Sequence, residues 1–109
     1  QYHFDEGSGT TATDSAGPLN GTIVGGTYVT PGLQGSAAID LEKDAPADYV
    51  SLGTNVDLFK NWSAATVSAF IKPESAITTD TQVFFAARNE FGVTSARALL
   101  GFNGSGNLR

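Results

Sequence analysis

Among the residues of this 109-residue chain whose side-chain oxygens could bind a hard cation are Asp5, Glu6, Asp14, Asn20, Asp40, Asp44 and Asp48. Calcium takes roughly six to eight such oxygens from carboxylates, amides and main-chain carbonyls. The spacing is not that of an EF-hand loop. The segment DSAGPLNG is instead a turn rich in Gly and Asx residues, where the Asp14 carboxylate and nearby carbonyls could converge. Asp14, Asn20 and Asp40 are therefore the metal-ligand candidates, with a structural calcium as the ion. The plainer reading is that Asp14 and Asn20 bond only their own backbone as Asx-turns, which short polar side chains do readily.

Other chemistries find less support. Glycoside hydrolysis needs two carboxyl groups roughly 5 to 10 Å apart across the sugar, and no such pair shares a strand face in this sequence. Asp5 and Glu6 are adjacent at a loop mouth, where capping a turn or meeting solvent is the ordinary fate. His3, the one histidine, sits between Tyr2 and Phe4 with no Ser or Cys partner and no G-x-S-x-G elbow. A lone imidazole without cysteine is also a poor zinc site. Gly7 to Ala12 matches the G-x-G-x-x-A spacing of dinucleotide sites, but no strand–turn–helix context surrounds it, so it reads as loop. No catalytic residue is assigned.

Sugar recognition asks for an exposed aromatic ring as a stacking platform with polar groups beside it. Trp62, Tyr28 and Tyr49 are the candidates. Phe70 shares a face with Thr66 and Ser68, but the same alternation suits a core ring under a second sheet, which is the expectation here. Asn20-Gly21-Thr22, Asn61-Trp62-Ser63 and Asn103-Gly104-Ser105 are glycosylation sequons by pattern, and two of them are also Asn-Gly turns.

These groups must be positioned by short strands. Apolar residues alternate with small or polar ones instead of recurring at helical spacing. Tyr2 and Phe4 open a first strand, and Asp5 to Gly17 reads as one large loop. Thr22 to Val24 forms a strand that Gly25-Gly26 breaks, Tyr28-Val29 a short piece ending at Pro31-Gly32. Ala37, Ile39 and Leu41 share a face, as do Val50 and Leu52 beyond a solvated hairpin at 42–48. Ala65 to Lys72 (ATVSAFIK) is the clearest strand, ended by Pro73. Gln82 to Arg88 and Ala96 to Phe102 are apolar on both faces, as strands inside a sandwich are. Leu58, Phe59 and Trp62 fall in a connection, read as one helical turn.

Composition bounds the answer. The chain has 13 Gly, no Cys and no Met, is 40% apolar and 16% charged, and carries a net charge of -5. That fits one all-β domain over 1–109 without a disordered character. Eleven acidic against six basic residues and a pI near 4.5 argue against binding nucleic acid through its phosphates. No apolar run approaches the roughly 20 residues of a membrane helix, so membrane insertion is not expected. Without cysteine there is no disulfide, thiolate or zinc-thiolate chemistry.

The order of segments is then informative: FDEGSGTTATDSAGPLNGTIVGG at 4–26, PGLQGSAAIDL at 31–41, DYVSL at 48–52 and TVSAFIKPES at 66–75. It resembles the concanavalin A-like, laminin G-like jelly rolls of secreted bacterial and archaeal proteins, over nearly the whole chain. Phe70 stands where that family usually has Trp, and LEKDAPA is inserted before DYV. The resemblance implies a jelly-roll sandwich of roughly 150 to 200 residues, within the ordinary domain range. The chain is then expected to be the N-terminal part of a longer domain, or to be completed by another chain.

It also implies a function: a non-catalytic extracellular or cell-surface module that binds glycans or proteins, with a structural calcium. One alternative is a structural subunit of a surface assembly, self-associating or receiving strands from a neighbour, since an open edge gains main-chain bonds from an added strand. Another is a fragment of a jelly-roll glycosidase or lyase.

Overall fold

The structure is a computed structural model that describes residues 1–42, 46–53, 63–73, 82–88 and 97–102, with 105 and 107. Among these residues there is no helix, and the strands form three small antiparallel sheets. The all-β class is therefore observed. The chain divides into two compact units, Gln1–Ser68 and Ala69–Arg109.

In the first unit, β1 (Thr11–Ala12), β2 (Gly21–Val24) and β5 (Tyr49–Ser51) make one sheet in the order β1-β2-β5. Thr11 pairs Thr22 and Ala12 pairs Gly21; on the other side Thr22 pairs Ser51, Ile23 pairs Val50 and Val24 pairs Tyr49. Period-two alternation turns Gly21 and Ile23 inward and leaves Thr22 exposed. Gly21 is required by packing: a Cβ there would lie 2.7 Å from Val50 Cγ1. The Gly25-Gly26 break works as expected. Gly25 has φ +78°, the left-handed region open to glycine, and the Asp48 carboxylate lies where its Cβ would stand.

Beyond that break, β3 (Thr27–Val29) and β4 (Ala38–Asp40) form a two-stranded ladder pairing Thr27 with Asp40, Tyr28 with Ile39 and Val29 with Ala38. Among the described residues of the unit, the buried hydrophobic side chains are those of Ala12, Ile23 and Ala37. Two are alanines, so Ile23 contributes most of the fully buried apolar surface, about 1.5–3 kcal/mol for a side chain of its size.

In the second unit, β6 (Gln82–Arg88) and β7 (Arg97–Phe102) form an antiparallel pair running from Gln82 opposite Phe102 to Arg88 opposite Arg97. Val83 pairs Gly101 and Phe85 pairs Leu100, which leaves Phe84 as an extra residue in β6. Such a bulge shifts the side-chain alternation by one position.

Three expectations are corrected. Asp5 to Gly17 is not all loop, since Thr11–Ala12 is a strand; two residues next to polar neighbours carry too little alternation to be read. Tyr2 makes only an isolated bridge to Asp14, not a first strand. Ala65 to Lys72 joins no ladder with any described strand and is exposed throughout. Alternation supplies a face to bury but no neighbouring backbone to pair with, and strands exist only in pairs. Phe70 accordingly is 72% exposed and not a core ring. The expected helical turn at 58–62 lies outside the described residues, as do 43–45 of the expected hairpin. The ends of that hairpin are closed: Asp48 N–H donates to the Glu42 carbonyl at 3.0 Å, and Glu42 N–H to Asp48 Oδ2 at 3.1 Å.

Candidate functional site

The polar residues of the N-terminal 40 positions come together as ties between distant backbone segments. Asp5 reaches across 31 positions: its Oδ1 accepts the Ser36 N–H at 2.8 Å and the Ala37 N–H at 3.3 Å, and the Ser36 hydroxyl donates to the Asp5 carbonyl at 3.2 Å. Gly35, at φ +78°, lies against the same carboxylate, which leaves no room for a side chain there. These bonds hold the chain entering β4 against the N-terminal segment.

Glu6 makes the second tie. Its Oε1 accepts the Thr13 N–H at 2.7 Å, and its Oε2 accepts the Tyr28 hydroxyl at 2.8 Å. The same hydroxyl is 2.8 Å from the Thr11 carbonyl. A phenol has one proton, so it is shared between the two acceptors. Partial burial works to raise the Glu6 carboxyl, but donors from the Thr13 and Glu6 backbones and the Thr13 and Tyr28 side chains outweigh it and lower it to about 2. Burial, with the neighbouring Glu6 carboxylate, raises the Tyr28 phenol to about 12.

Asp14 and Asn20, two of the expected calcium ligands, are brought together. The Asp14 N–H donates to Asn20 Oδ1 at 3.0 Å. Asp14 Oδ1 accepts the Gln1 amino group at 2.6 Å and the Ala16 N–H at 3.1 Å, while Oδ2 accepts the Leu19 N–H at 3.4 Å. The Tyr2 hydroxyl closes the same turn by donating to the Leu19 carbonyl. The Gln1 amino group first, and then the Ala16 N–H, hold the Asp14 carboxyl below its ordinary range. Asp14 thus acts as an Asx-turn acceptor for the Ala16 N–H, while Asn20 makes no Asx-turn and instead reaches back six positions to accept the Asp14 N–H.

That arrangement does not fit a calcium shell. Three of about four carboxylate lone-pair sites on Asp14 are taken. Asp40 stands on β4 opposite Thr27, and no described hydrogen bond links it to Asp14 or Asn20. Among the described residues, no three His, Cys, Asp or Glu are grouped as metal ligands would be.

The aromatic candidates separate. Tyr28 is half-buried and its hydroxyl is committed to Glu6 and Thr11. Tyr49 begins β5, at the margin of its sheet, and is 52% exposed. Trp62 lies outside the described residues. The sequence had assigned Asp5 and Glu6 to caps or solvent, and capping backbone N–H groups is what they do. The pairing of Glu6 with Tyr28 was not legible, because 22 positions separate them and no motif joins them.

Comparison of the chain with protein-family models, with curated proteins and with solved structures finds no match.

Proposed function

We propose that this chain is a non-catalytic binding or adhesion module of the laminin G-like jelly-roll kind, displayed outside the cell or on its surface, and that its ligand is a glycan. The observation that carries the reading is Tyr49. More than half of its surface is open to solvent, on a strand whose backbone pairs with β2 opposite Val24. An amphipathic ring held this way suits stacking on a sugar.

Two further points support it. Asp5, Glu6 and Asp14 each accept backbone N–H groups, so these three carboxylates brace turns. The excess of acidic over basic residues disfavours polyanionic ligands. No helix among the described residues is long and apolar enough to cross a membrane.

The test is a glycan array probed with the chain, its Tyr49→Ala variant and its Trp62→Ala variant. Loss of a stacking ring removes about 1–3 kcal/mol in comparable stacked contacts, so at least a fivefold drop in affinity is expected for Tyr49→Ala. Binding unchanged in both variants, or no glycan bound by the parent chain, would sink the proposal.

A further inference from the structure

Of the three sequons, Asn20-Gly21-Thr22 is the one whose residues are all described, and it stands where β2 begins. Asn20 and Thr22 are exposed, while Gly21 between them is buried, with Val50, Leu52 and Ala12 filling the space where a Cβ would stand. Successive residues of an extended chain point to opposite sides. The inward turn of Gly21 therefore places Asn20 and Thr22 on the same, outward side. The backbone around them is held: the Asn20 N–H donates to the Pro18 carbonyl at 3.2 Å, and Gly21 and Thr22 pair with Ala12 and Thr11.

The side-chain amide of Asn20 is oriented as well. Its partner is the Asp14 N–H at 3.0 Å, and a donor can be met only by the oxygen of the amide, not by its NH2. With Oδ1 committed to that bond, Nδ2 is turned away from Asp14, and no described hydrogen bond uses it. The geometry thus goes beyond the match of a pattern. The residue to be modified is exposed with its nitrogen unbonded, and the hydroxyl-bearing residue that a glycan-transferring enzyme reads two positions on lies on the same side.

We propose that Asn20 is an acceptor for N-linked glycosylation, the donor being an oligosaccharide carried on a lipid diphosphate. In the transfer, Nδ2 gives up a proton to a base of the transferring enzyme and bonds to the anomeric carbon of the first sugar. The bond from that carbon to the diphosphate oxygen breaks, and the lipid diphosphate leaves with the electron pair. The product is still an amide with its oxygen in place, so the Asp14 N–H keeps its acceptor while the bulky, solubilising glycan extends from the side open to water. This inference rests on the placement outside the cell proposed above and is independent of glycan binding by Tyr49.

The experiment is expression of the 109-residue chain in yeast behind a cleavable secretion leader, with peptide mass mapping of medium and cell extract together. Maps are taken before and after treatment with peptide N-glycosidase, which turns a glycosylated Asn into Asp. The parent is compared with Asn20→Gln and Thr22→Val. An oligosaccharide is expected on Asn20 in most parent chains and in neither variant. Thr22→Val keeps Asn20 and its bond to Asp14 and loses only the hydroxyl, so the comparison stands even where Asn20→Gln fails to fold. The glycosylated parent is expected to melt no lower than the same chain made in bacteria without glycan, because the Asp14 bond survives. An Asn20 peptide that carries no glycan, whatever the state of the other two sequons, overturns the proposal, as does glycan undiminished in Thr22→Val or a lower melting temperature of the glycosylated parent. The leader imposes the secretory route, so failure at Asn20 condemns the site and not the extracellular placement. That placement fails separately, on finding the native chain confined to the cytosol.

Discussion

The Tyr28 hydroxyl lies 2.8 Å from Glu6 Oε2 and 2.8 Å from the Thr11 carbonyl, so one phenol links the N-terminal segment, β1 and β3. Glu6 extends that link by accepting the Thr13 N–H on its other oxygen. The tie joins strands of two different sheets of the first unit. Hydrogen bonds to charged acceptors are a sizeable contribution to a folding free energy that is itself a small difference between large terms.

Removing either end of the tie is therefore expected to lower stability. Tyr28→Phe deletes the hydroxyl and keeps the ring, while Glu6→Gln keeps the shape and removes the charge. Each single change should cost about 0.5–1.5 kcal/mol, the usual net value of a hydrogen bond. The double variant should cost less than the sum, by several tenths of a kcal/mol, because both changes delete one shared contact. Urea unfolding of the four proteins measures this; strictly additive losses would mean that the two side chains do not interact.

The same pair predicts two pH limits. Glu6 is lowered from its ordinary 4.5 to about 2. Its contribution is complete above pH 4.5 and is lost as pH falls through about 2. Tyr28 is raised from 10.0 to about 12, so its contribution is complete below pH 10 and is lost as pH rises through about 12. Both groups are solvent-accessible, and screening reduces each effect to about 1 kcal/mol or less. Melting temperature measured against pH should fall at both ends, with the acid-side fall reduced in Glu6→Gln and the alkaline-side fall reduced in Tyr28→Phe.

Asp5 and Gly35 make a second tie of a different kind, in which backbone shape and side chain depend on each other. Asp5→Asn keeps an acceptor for the Ser36 and Ala37 N–H groups and should cost less than 1 kcal/mol. Asp5→Ala leaves both donors without it and should cost about 1–2 kcal/mol, as loss of a capping side chain does. Gly35→Ala should be worse than Asp5→Asn, since φ +78° strains alanine and its Cβ meets the Asp5 carboxylate. Thermal unfolding ranks the three, and equal stabilities for Asp5→Ala and the parent would show that the bonds contribute nothing.

What the sequence made legible follows from the range of each interaction. β2, β3 and β6 were visible because a few neighbouring side chains define their alternation, and the Gly25-Gly26 break because glycine alone tolerates that backbone. Asp14 was legible as an Asx-turn for the same local reason, whereas Asn20 bonds the N–H six positions before it, which the Asx-turn rule does not foresee. Ala65 to Lys72 had the alternation of a strand, yet pairing depends on a distant backbone that no local pattern reports. The Phe84 bulge was hidden likewise: an extra residue is defined only against the opposing strand. Glu6 with Tyr28 and Asp5 with Ser36 join positions 22 and 31 apart, beyond any spacing rule.

The Asp14 turn gives the last prediction. A calcium ion entering here would have to compete with the Ala16 and Leu19 N–H groups for the carboxylate and with the Asp14 N–H for Asn20 Oδ1. Each displaced N–H would be left unpaired unless water reached it, at a cost of about 1–3 kcal/mol where buried. Millimolar calcium or excess chelator should then leave the melting temperature unchanged, and Asp14→Asn, which retains oxygen acceptors for part of the turn, should destabilise less than Asp14→Ala with or without the ion. Stabilisation by a site-binding ion grows with the logarithm of its concentration. A melting temperature that climbs in that way with calcium, and fails to climb in Asp14→Ala, would return Asp14 and Asn20 to the role of metal ligands and require the turn to open its backbone bonds on binding.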